Sequence, residues 1–175
     1  MSYLLTFTGK HLDLIDPQPN MINLLDIAHG LANTCRFSGQ CRFYYSVAQH
    51  SELASRIVPV EFELEALLHD AAEAYLCDIP SPLKLLLPDY RAIEARMDAA
   101  IRERFGLPAT TSPEVKQADL VMLATEKRDL MPPDRDPWPL LYCTVPLDFR
   151  IMATNANRAK SGFMQRALEI LQEAA

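Results

Sequence analysis

The sequence predicts an all-α fold with one small β-hairpin at the N-terminus. Three observations support this prediction: apolar residues recur at helical spacing, capping and stopping residues punctuate these stretches, and strand-like runs occur only near the N-terminus. No internal repeat and no compositional boundary divides the 175 residues. The chain is therefore predicted to form a single domain over residues 1–175.

The predicted elements follow one another with short connections. Two strand-like runs surround Thr8-Gly9-Lys10 within residues 3–15, which is typical of a hairpin. Ser46 and Ser112 are predicted N-caps, and Pro59, Pro80 and Pro132 stop the helices that precede them. The predicted helices cover about 21–35, 46–58, 64–78, 89–105, 113–131 and 157–173, with a short apolar turn at 81–87 and an extended packed loop at 132–150.

Composition favours a small ligand and a cytoplasmic location. The formal net charge is -6 and no basic stripe is visible, which argues against a nucleic acid polymer as the partner. The N-terminus lacks the pattern of a signal peptide, and no 18-residue apolar run predicts a membrane span. The four cysteines show no CxxC spacing, so they are predicted to be reduced thiols.

Polar groups follow the apolar residues that begin the stretch Leu64–Lys84. His69 and Asp70 follow its leucines directly, and Glu73 stands at i+4 from the histidine, on the same face of a continuous helix. Asp78 lies where that helix should end. Charges among leucines are costly unless they are compensated, and a divalent metal compensates histidines and carboxylates well. The alternative is that His69 and Asp70 only cap the helix end.

Two further residues could complete a metal site. His50 lies on the predicted inward face of the second helix, and Asp119 has apolar neighbours that predict burial. If three helices pack together, His50, His69, Asp70 and Asp119 form a set of nitrogen and oxygen ligands without thiolate. Such a set suits one divalent ion, Co²⁺, Mn²⁺, Zn²⁺, Fe²⁺ or Mg²⁺, and it leaves room for water and phosphate.

The order of these residues resembles the HD superfamily of metal-dependent phosphohydrolases. HDAAEAYLCDIPSPLK is similar to the HDxxE…GDxPxPxK segment of bacterial 5'-deoxynucleotidases of the YfbR type, and SVAQHS is similar to their NVxEHS. The resemblance covers about residues 22–131. Three positions depart from it: Phe37 replaces a tryptophan, Gln49 a glutamate and Cys77 a glycine.

The resemblance implies an HD-domain helical bundle and a role for each matched residue. His50, His69, Asp70 and Asp119 would bind the metal. Glu73 would handle the proton of the attacking water, and Asp78 would lie near the sugar or the water. Arg36 would contact phosphate and Phe37 the sugar or base. The resemblance also implies a homo-oligomer, a dimer or larger.

Several readings stay open at this point. Lys84 could hold a phosphate oxygen or be a solvated surface lysine. The leading hypothesis is a 5'-deoxynucleotidase that converts a deoxynucleoside monophosphate to deoxynucleoside and phosphate. The alternative is a triphosphohydrolase, since a related branch of the superfamily releases triphosphate from dATP. In that case Lys84, Arg36 and Arg42 would hold the triphosphate. A nucleotide-binding module without catalysis is a third reading, and a helical adaptor built on the Pro132–Phe149 loop is a fourth.

Overall fold

The fold is all-α with a two-stranded antiparallel sheet, as the sequence predicts. A computed structural model describes residues 3–136 and 138–173. The strands are β1 (Tyr3–Leu5) and β2 (His11–Asp13), and Tyr3 pairs with Asp13. The helices are α1 (Leu24–Asn33), α2 (Val47–Ser55), α3 (Glu63–Leu68), α4 (Glu73–Leu76), α5 (Ser81–Lys84), α6 (Pro88–Phe105), α7 (Pro113–Leu130) and α8 (Ala156–Glu173).

Helix α2 is central to the bundle. It packs against α1, α3, α7 and α8, while α1 also packs against α4 and α8. Leu31, Val47, Leu67 and Phe163 are fully buried where these helices meet. Because α3 and α7 both contact α2, polar side chains from the three helices can reach one point.

Two polar caps set the start of α1 and α2, and a glycine sets the end of α6. The Asn23 side chain accepts a hydrogen bond from the Leu25 backbone N–H at 2.8 Å, and Ser46 accepts one from Gln49 at 3.3 Å. Gly106, at φ 66°, ends α6 in the left-handed conformation that glycine tolerates. Ser112 precedes α7 but does not cap it, because its hydroxyl donates to Glu65 Oε2 at 2.6 Å.

The hairpin is tied to the bundle through α1. Gly9 adopts φ 81° in its turn, and the Asp26 carboxylate accepts hydrogen bonds from the backbone and the hydroxyl of Thr8 at 2.7 and 2.8 Å. The Phe7 ring stacks on His29 with ring centroids 3.9 Å apart. These contacts confirm the predicted hairpin and place it against the start of α1.

The prediction of one continuous helix after Leu64 is wrong. Helix α3 ends at Leu68, residues 69–72 form a turn, and α4 begins at Glu73. In the turn, backbone hydrogen bonds span three residues instead of the four of an α-helix. The Ala71 N–H donates to the Leu68 carbonyl and the Glu73 N–H to the Asp70 carbonyl, both at 3.0 Å. His69 and Asp70 therefore lie between two short helices rather than within one.

The Pro-rich segment 132–150 packs on the domain as an extended loop with a 3-10 turn at Pro139–Leu141, and Pro137 lies outside the described residues. Arg128 donates hydrogen bonds to the carbonyls of Leu147 and Phe149 at 2.5 and 2.6 Å. These bonds hold the loop against the end of α7. Among the described residues, no helix is both long and apolar enough to cross a membrane.

Candidate metal centre

Two imidazoles face each other at the junction of α2, α3 and α7. His50 Nε2 and His69 Nε2 lie 3.2 Å apart. Asp119 Oδ1 lies 3.3 Å from His50 Nε2 and 3.9 Å from His69 Nε2. His50, His69 and Asp119 each offer one ligand atom within 4.8 Å of the others, so this group could hold a metal ion.

Asp70 joins the same cluster from the turn after α3. Its Oδ2 lies 3.3 Å from His69 Nε2 and 3.7 Å from His50 Nε2. The structure thus brings together all four predicted ligands. Asp119 differs from expectation in one respect, because its side chain is 43% exposed rather than buried. That exposure leaves the cluster open on the α7 side.

The other ring nitrogens are engaged by fixed acceptors. His69 Nδ1 donates to the Ala66 carbonyl at 2.7 Å, and His50 Nδ1 lies 2.6 Å from Glu126 Oε1. Because both Nδ1 atoms are bonded away from the cluster, both Nε2 lone pairs are directed into it. This is the arrangement by which proteins orient histidine ligands for a metal.

Glu126 contacts the centre but is not among the residues that the sequence predicted for it. It is fully buried, its Oε2 accepts from Arg36 Nε at 3.2 Å, and its Oε1 accepts from the Tyr45 hydroxyl at 2.9 Å as well as facing His50. Glu126 stands seven residues after Asp119, two turns along the same face of α7. That spacing was a signal that could have identified it.

Arg36 links two carboxylates rather than lying free for a phosphate. Its Nη1 donates to Asp70 Oδ2 and its Nε to Glu126 Oε2, both at 3.2 Å. Burial alone would lower the pKa of Arg36, but the charges of Glu126 and Asp70 outweigh it and raise that pKa. Arg36 therefore stays charged and fixes the orientation of Asp70.

The centre favours positive charge on its histidines. Burial tends to lower the pKa of His69, yet Asp70 and Asp119 raise it to about 10. Burial and Arg36 oppose charge on His50 too, but Glu126 and Asp119 raise its pKa overall. Burial would raise the pKa of Asp70, and the neighbouring His69 holds it well below its usual range. The carboxylates of the centre thus stabilise positive charge on both imidazoles.

The donor set supports a divalent ion. Asp70 and Asp119 present carboxylate oxygens to the two imidazole nitrogens, and Glu126 lies behind His50. Imidazole nitrogens and carboxylate oxygens suit such an ion.

Glu73 and Lys84 lie in a cavity beside the cluster. The cavity has a volume of about 310 Å³ and is lined by His69, Asp70, Glu73, Lys84, Arg91 and Glu94 among others. Lys84 Nζ donates to Glu94 Oε1 at 2.6 Å and to Glu73 Oε1 at 3.3 Å, so the reading of Lys84 as a solvated lysine is wrong. Glu94 is a second residue that the sequence reading missed.

The second oxygen of Glu73 is buried and lacks a hydrogen-bond partner among the described residues. Burial, together with the charges of Asp70 and Asp78, raises the pKa of Glu73 to about 9. A buried polar atom without a partner is costly, so this oxygen offers a hydrogen-bonding position to a water or ligand in the cavity.

Asp78 and Phe37 flank the centre. Asp78 is half-buried, and burial raises its pKa whereas the charges of Arg36 and Lys84 lower it. The Phe37 ring centroid lies 5.4 Å from the Arg36 guanidinium carbon. Phe37, Ser38 and Cys77 all have positive φ, at 54°, 51° and 67°, which is uncommon for residues other than glycine. Such strain concentrates at functional sites.

Fold and site together define an all-α protein with a histidine–carboxylate centre that could bind a metal ion. No family model matches the chain. It is 50% identical over 169 residues to the uncharacterized protein YfdR of Escherichia coli (strain K12). The aligned region covers 95% of this chain and 94% of that relative. An uncharacterized protein of Rhodobacter capsulatus is 43% identical over 121 residues, 63% of this chain and 62% of that relative. The chain therefore belongs to the YfdR family.

Proposed function

We propose that the protein is a metal-dependent phosphohydrolase that removes phosphate from a deoxynucleoside monophosphate. The observation that carries this proposal is the convergence of His50, His69, Asp70 and Asp119, with both Nε2 atoms directed inward. The resemblance to HD-superfamily phosphohydrolases and to YfbR-type 5'-deoxynucleotidases supports the same reading. The substrate would be small, and no basic surface stripe favours a polymer.

Each residue of the centre has a distinct part in the proposed reaction. A divalent cation held by the four ligands would supply Lewis-acid activation of water and of the phosphoryl group. The ionised form of Glu73 would take the proton of the attacking water at Oε2, because this atom is buried, lacks a hydrogen-bond partner among the described residues and belongs to a residue that lines the same cavity as Asp70. Asp70 would keep its orientation through Arg36.

Lys84 would place the phosphate in the cavity. Its ammonium group is held by Glu94 and Glu73, and it lines the same cavity as Asp70 and Arg91. Lys84 would bind a phosphate oxygen and keep Glu73 in place. Arg42, by contrast, lines a different cavity with Lys127 and Arg128. Arg42 therefore adds no phosphate contact beside Lys84, although the triphosphate alternative would need one.

The test is release of inorganic phosphate from dAMP by the metal-loaded protein. We expect turnover with Mn²⁺ or Co²⁺ and none after chelation. Glu73→Ala should lower kcat by about 10²- to 10⁴-fold while metal binding persists, and His69→Ala should lose both. Glu114→Ala, an exposed site in the first turn of α7, is the control. Wild-type turnover in Glu73→Ala would overturn the proton-transfer role.

Two comparisons separate the other readings. Release of triphosphate from dATP in preference to phosphate from dAMP would favour the triphosphohydrolase. Tight binding of dAMP by the metal-loaded protein without phosphate release would favour the binding module. Both outcomes would contradict the proposed nucleotidase.

A further inference from the structure

The loop 132–150 carries the chain's one tryptophan to the edge of the metal centre. The ring of Trp138 lies beside that of Phe37, with ring centroids 6.3 Å apart and planes tilted by 51°. This distance and tilt fall within the range of favourable aromatic pairs. The tilted rings form two walls of a corner, which we call the aromatic corner.

Two polar contacts hold Trp138 in place. Its indole Nε1–H donates to Asp134 Oδ2 at 3.2 Å, and the Lys127 ammonium lies 4.6 Å from the ring centroid. Lys127 Nζ also lies 3.6 Å from Asp134 Oδ2 and donates to the Asp136 carbonyl at 3.0 Å. The indole is thus preorganised on an otherwise irregular loop, and its ring remains partly exposed.

The aromatic corner connects to the metal centre by direct contacts. Phe37 directly follows Arg36 in the chain, and its ring lies 5.4 Å from the Arg36 guanidinium carbon. Arg36 in turn donates to Asp70. The left-handed backbone of Phe37 and Ser38 fixes the ring in this position at a cost that packing alone does not require.

Both rings of the aromatic corner are partly exposed. Aromatic side chains with an exposed face are the surfaces on which proteins stack nucleobases.

We propose that Trp138, with Phe37, binds the nucleobase of the substrate and so determines specificity. This inference depends on the proposed nucleotidase. It assigns a ligand chemistry, a planar heteroaromatic base, to a loop that is remote in sequence from the metal ligands. The resembled nucleotidases carry a tryptophan at the position of Phe37, and in this protein Trp138 places an indole beside that position.

The test compares a substrate that has a base with one that lacks it. Trp138→Ala should lower kcat/KM for dAMP by about 5- to 150-fold, the effect of one base stacked on one aromatic ring. Hydrolysis of deoxyribose 5-phosphate should stay unchanged. The matched control is Tyr142→Ala, because Tyr142 is an exposed aromatic residue of the same loop.

A fluorescence titration tests the contact without turnover. Since Trp138 is the one tryptophan, its emission reports the corner alone. Addition of dAMP to the Mg²⁺-loaded protein should quench this emission, deoxyribose 5-phosphate should not, and Phe37→Leu should weaken the quenching.

If neither compound is hydrolysed, the proposed function fails and the titration still decides the base contact. Unquenched emission, or equal losses for both substrates in Trp138→Ala, would overturn the inference.

Discussion

Glu126 connects three side chains of the centre, although the sequence did not single it out. It faces His50 Nδ1 and accepts hydrogen bonds from Arg36 and Tyr45 in a fully buried position. Burial would raise its pKa, but Arg36 and His50 lower it, so the carboxylate stays ionised. It therefore sets the tautomer of His50 and the orientation of Arg36 at the same time.

The first prediction concerns this residue. Glu126→Gln should weaken metal affinity by about 10- to 100-fold, because an amide no longer holds the His50 proton by charge. Competition with a chromophoric chelator measures the affinity, and circular dichroism checks the fold. Tyr45→Phe is the matched control, since it removes one hydrogen bond to the same carboxylate but no charge. Equal affinities in Glu126→Gln and wild type would contradict the orienting role.

Single residues were predictable where their chemistry conflicts with their surroundings. His50 and Asp119 stood out because they are polar residues in apolar helical stretches, and the structure brings both to the centre. Glu126 lies in a charged stretch of the sequence, so its burial could be predicted only from its spacing to Asp119. The pairing of Lys84 with Glu94 depends on the angle between α5 and α6, which sequence periodicity does not encode.

At the scale of elements, the approach of α1 to α4 depends on a glycine. A Cβ built on Gly30 would lie 2.4 Å from the Ala74 carbonyl oxygen, a backbone atom that cannot move away alone. In α8, a Cβ on Gly162 would meet a side-chain oxygen of Glu52 at 3.4 Å. The two helical glycines thus differ in the space around them.

The second prediction follows from this difference. Gly30→Ala should lower the free energy of unfolding by about 1–3 kcal/mol, because forced repacking exceeds the gain in helix propensity. Gly162→Ala, as its control, should be neutral or stabilising by up to about 1 kcal/mol. Urea denaturation of both variants measures the effect. Similar stabilities for the two variants would refute the close approach of α1 and α4.

The end of α7 is fastened to the segment before α8 by Asp129. Its carboxylate accepts hydrogen bonds from Arg128, Arg150 and the Ile151 backbone N–H. The Arg128 hydrogen bond, followed by that of Ile151, lowers the pKa of Asp129 from 3.8 to about 2. Because the folded pKa is the lower one, this stabilisation is present above pH 3.8 and is lost as pH falls through about 2.

The third prediction is a pH dependence. The difference in unfolding free energy between wild type and Asp129→Asn should be greatest above pH 4 and should shrink towards pH 2. Chemical denaturation at a series of pH values measures it. Asp148→Asn, an exposed site on the preceding loop, should show no such trend. A difference that is constant over this range would show that Asp129 has the same pKa in the folded and unfolded states, which would contradict its lowered pKa.

Element boundaries were predictable in part from caps. Ser46, a predicted N-cap, caps α2 in the structure, whereas Ser112 precedes α7 without a capping hydrogen bond. The break at residues 69–72 was not predictable, because Ala71 and Ala72 favour helix and no glycine or proline signals a turn. Tertiary packing and the bond from His69 to Ala66 override local propensity there.

For the whole molecule, the centre draws its groups from separate elements. His50 lies on α2, His69 and Asp70 lie in the turn after α3, and Asp119 lies on α7, so the four ligands come together only in the folded chain. Binding of a divalent ion to the folded state should therefore stabilise the entire domain through mass action.

The fourth prediction measures this coupling. At free Mn²⁺ about 100 times its dissociation constant, stability should rise by about 2.7 kcal/mol, which corresponds to an increase in Tm of about 5–10 °C for a chain of this size. Differential scanning calorimetry with and without chelator measures the change. His69→Ala should lose the metal dependence. A rise that His69→Ala retains would locate the stabilising site elsewhere.

The most direct test of the account is the anomalous difference map of a crystal soaked in Mn²⁺. We predict a peak bounded by His50 Nε2, His69 Nε2, Asp70 Oδ2 and Asp119 Oδ1, the atoms that already face one another. The absence of a peak there at saturating Mn²⁺, or a peak held only by other residues, would contradict the metal centre and the hydrolase built on it.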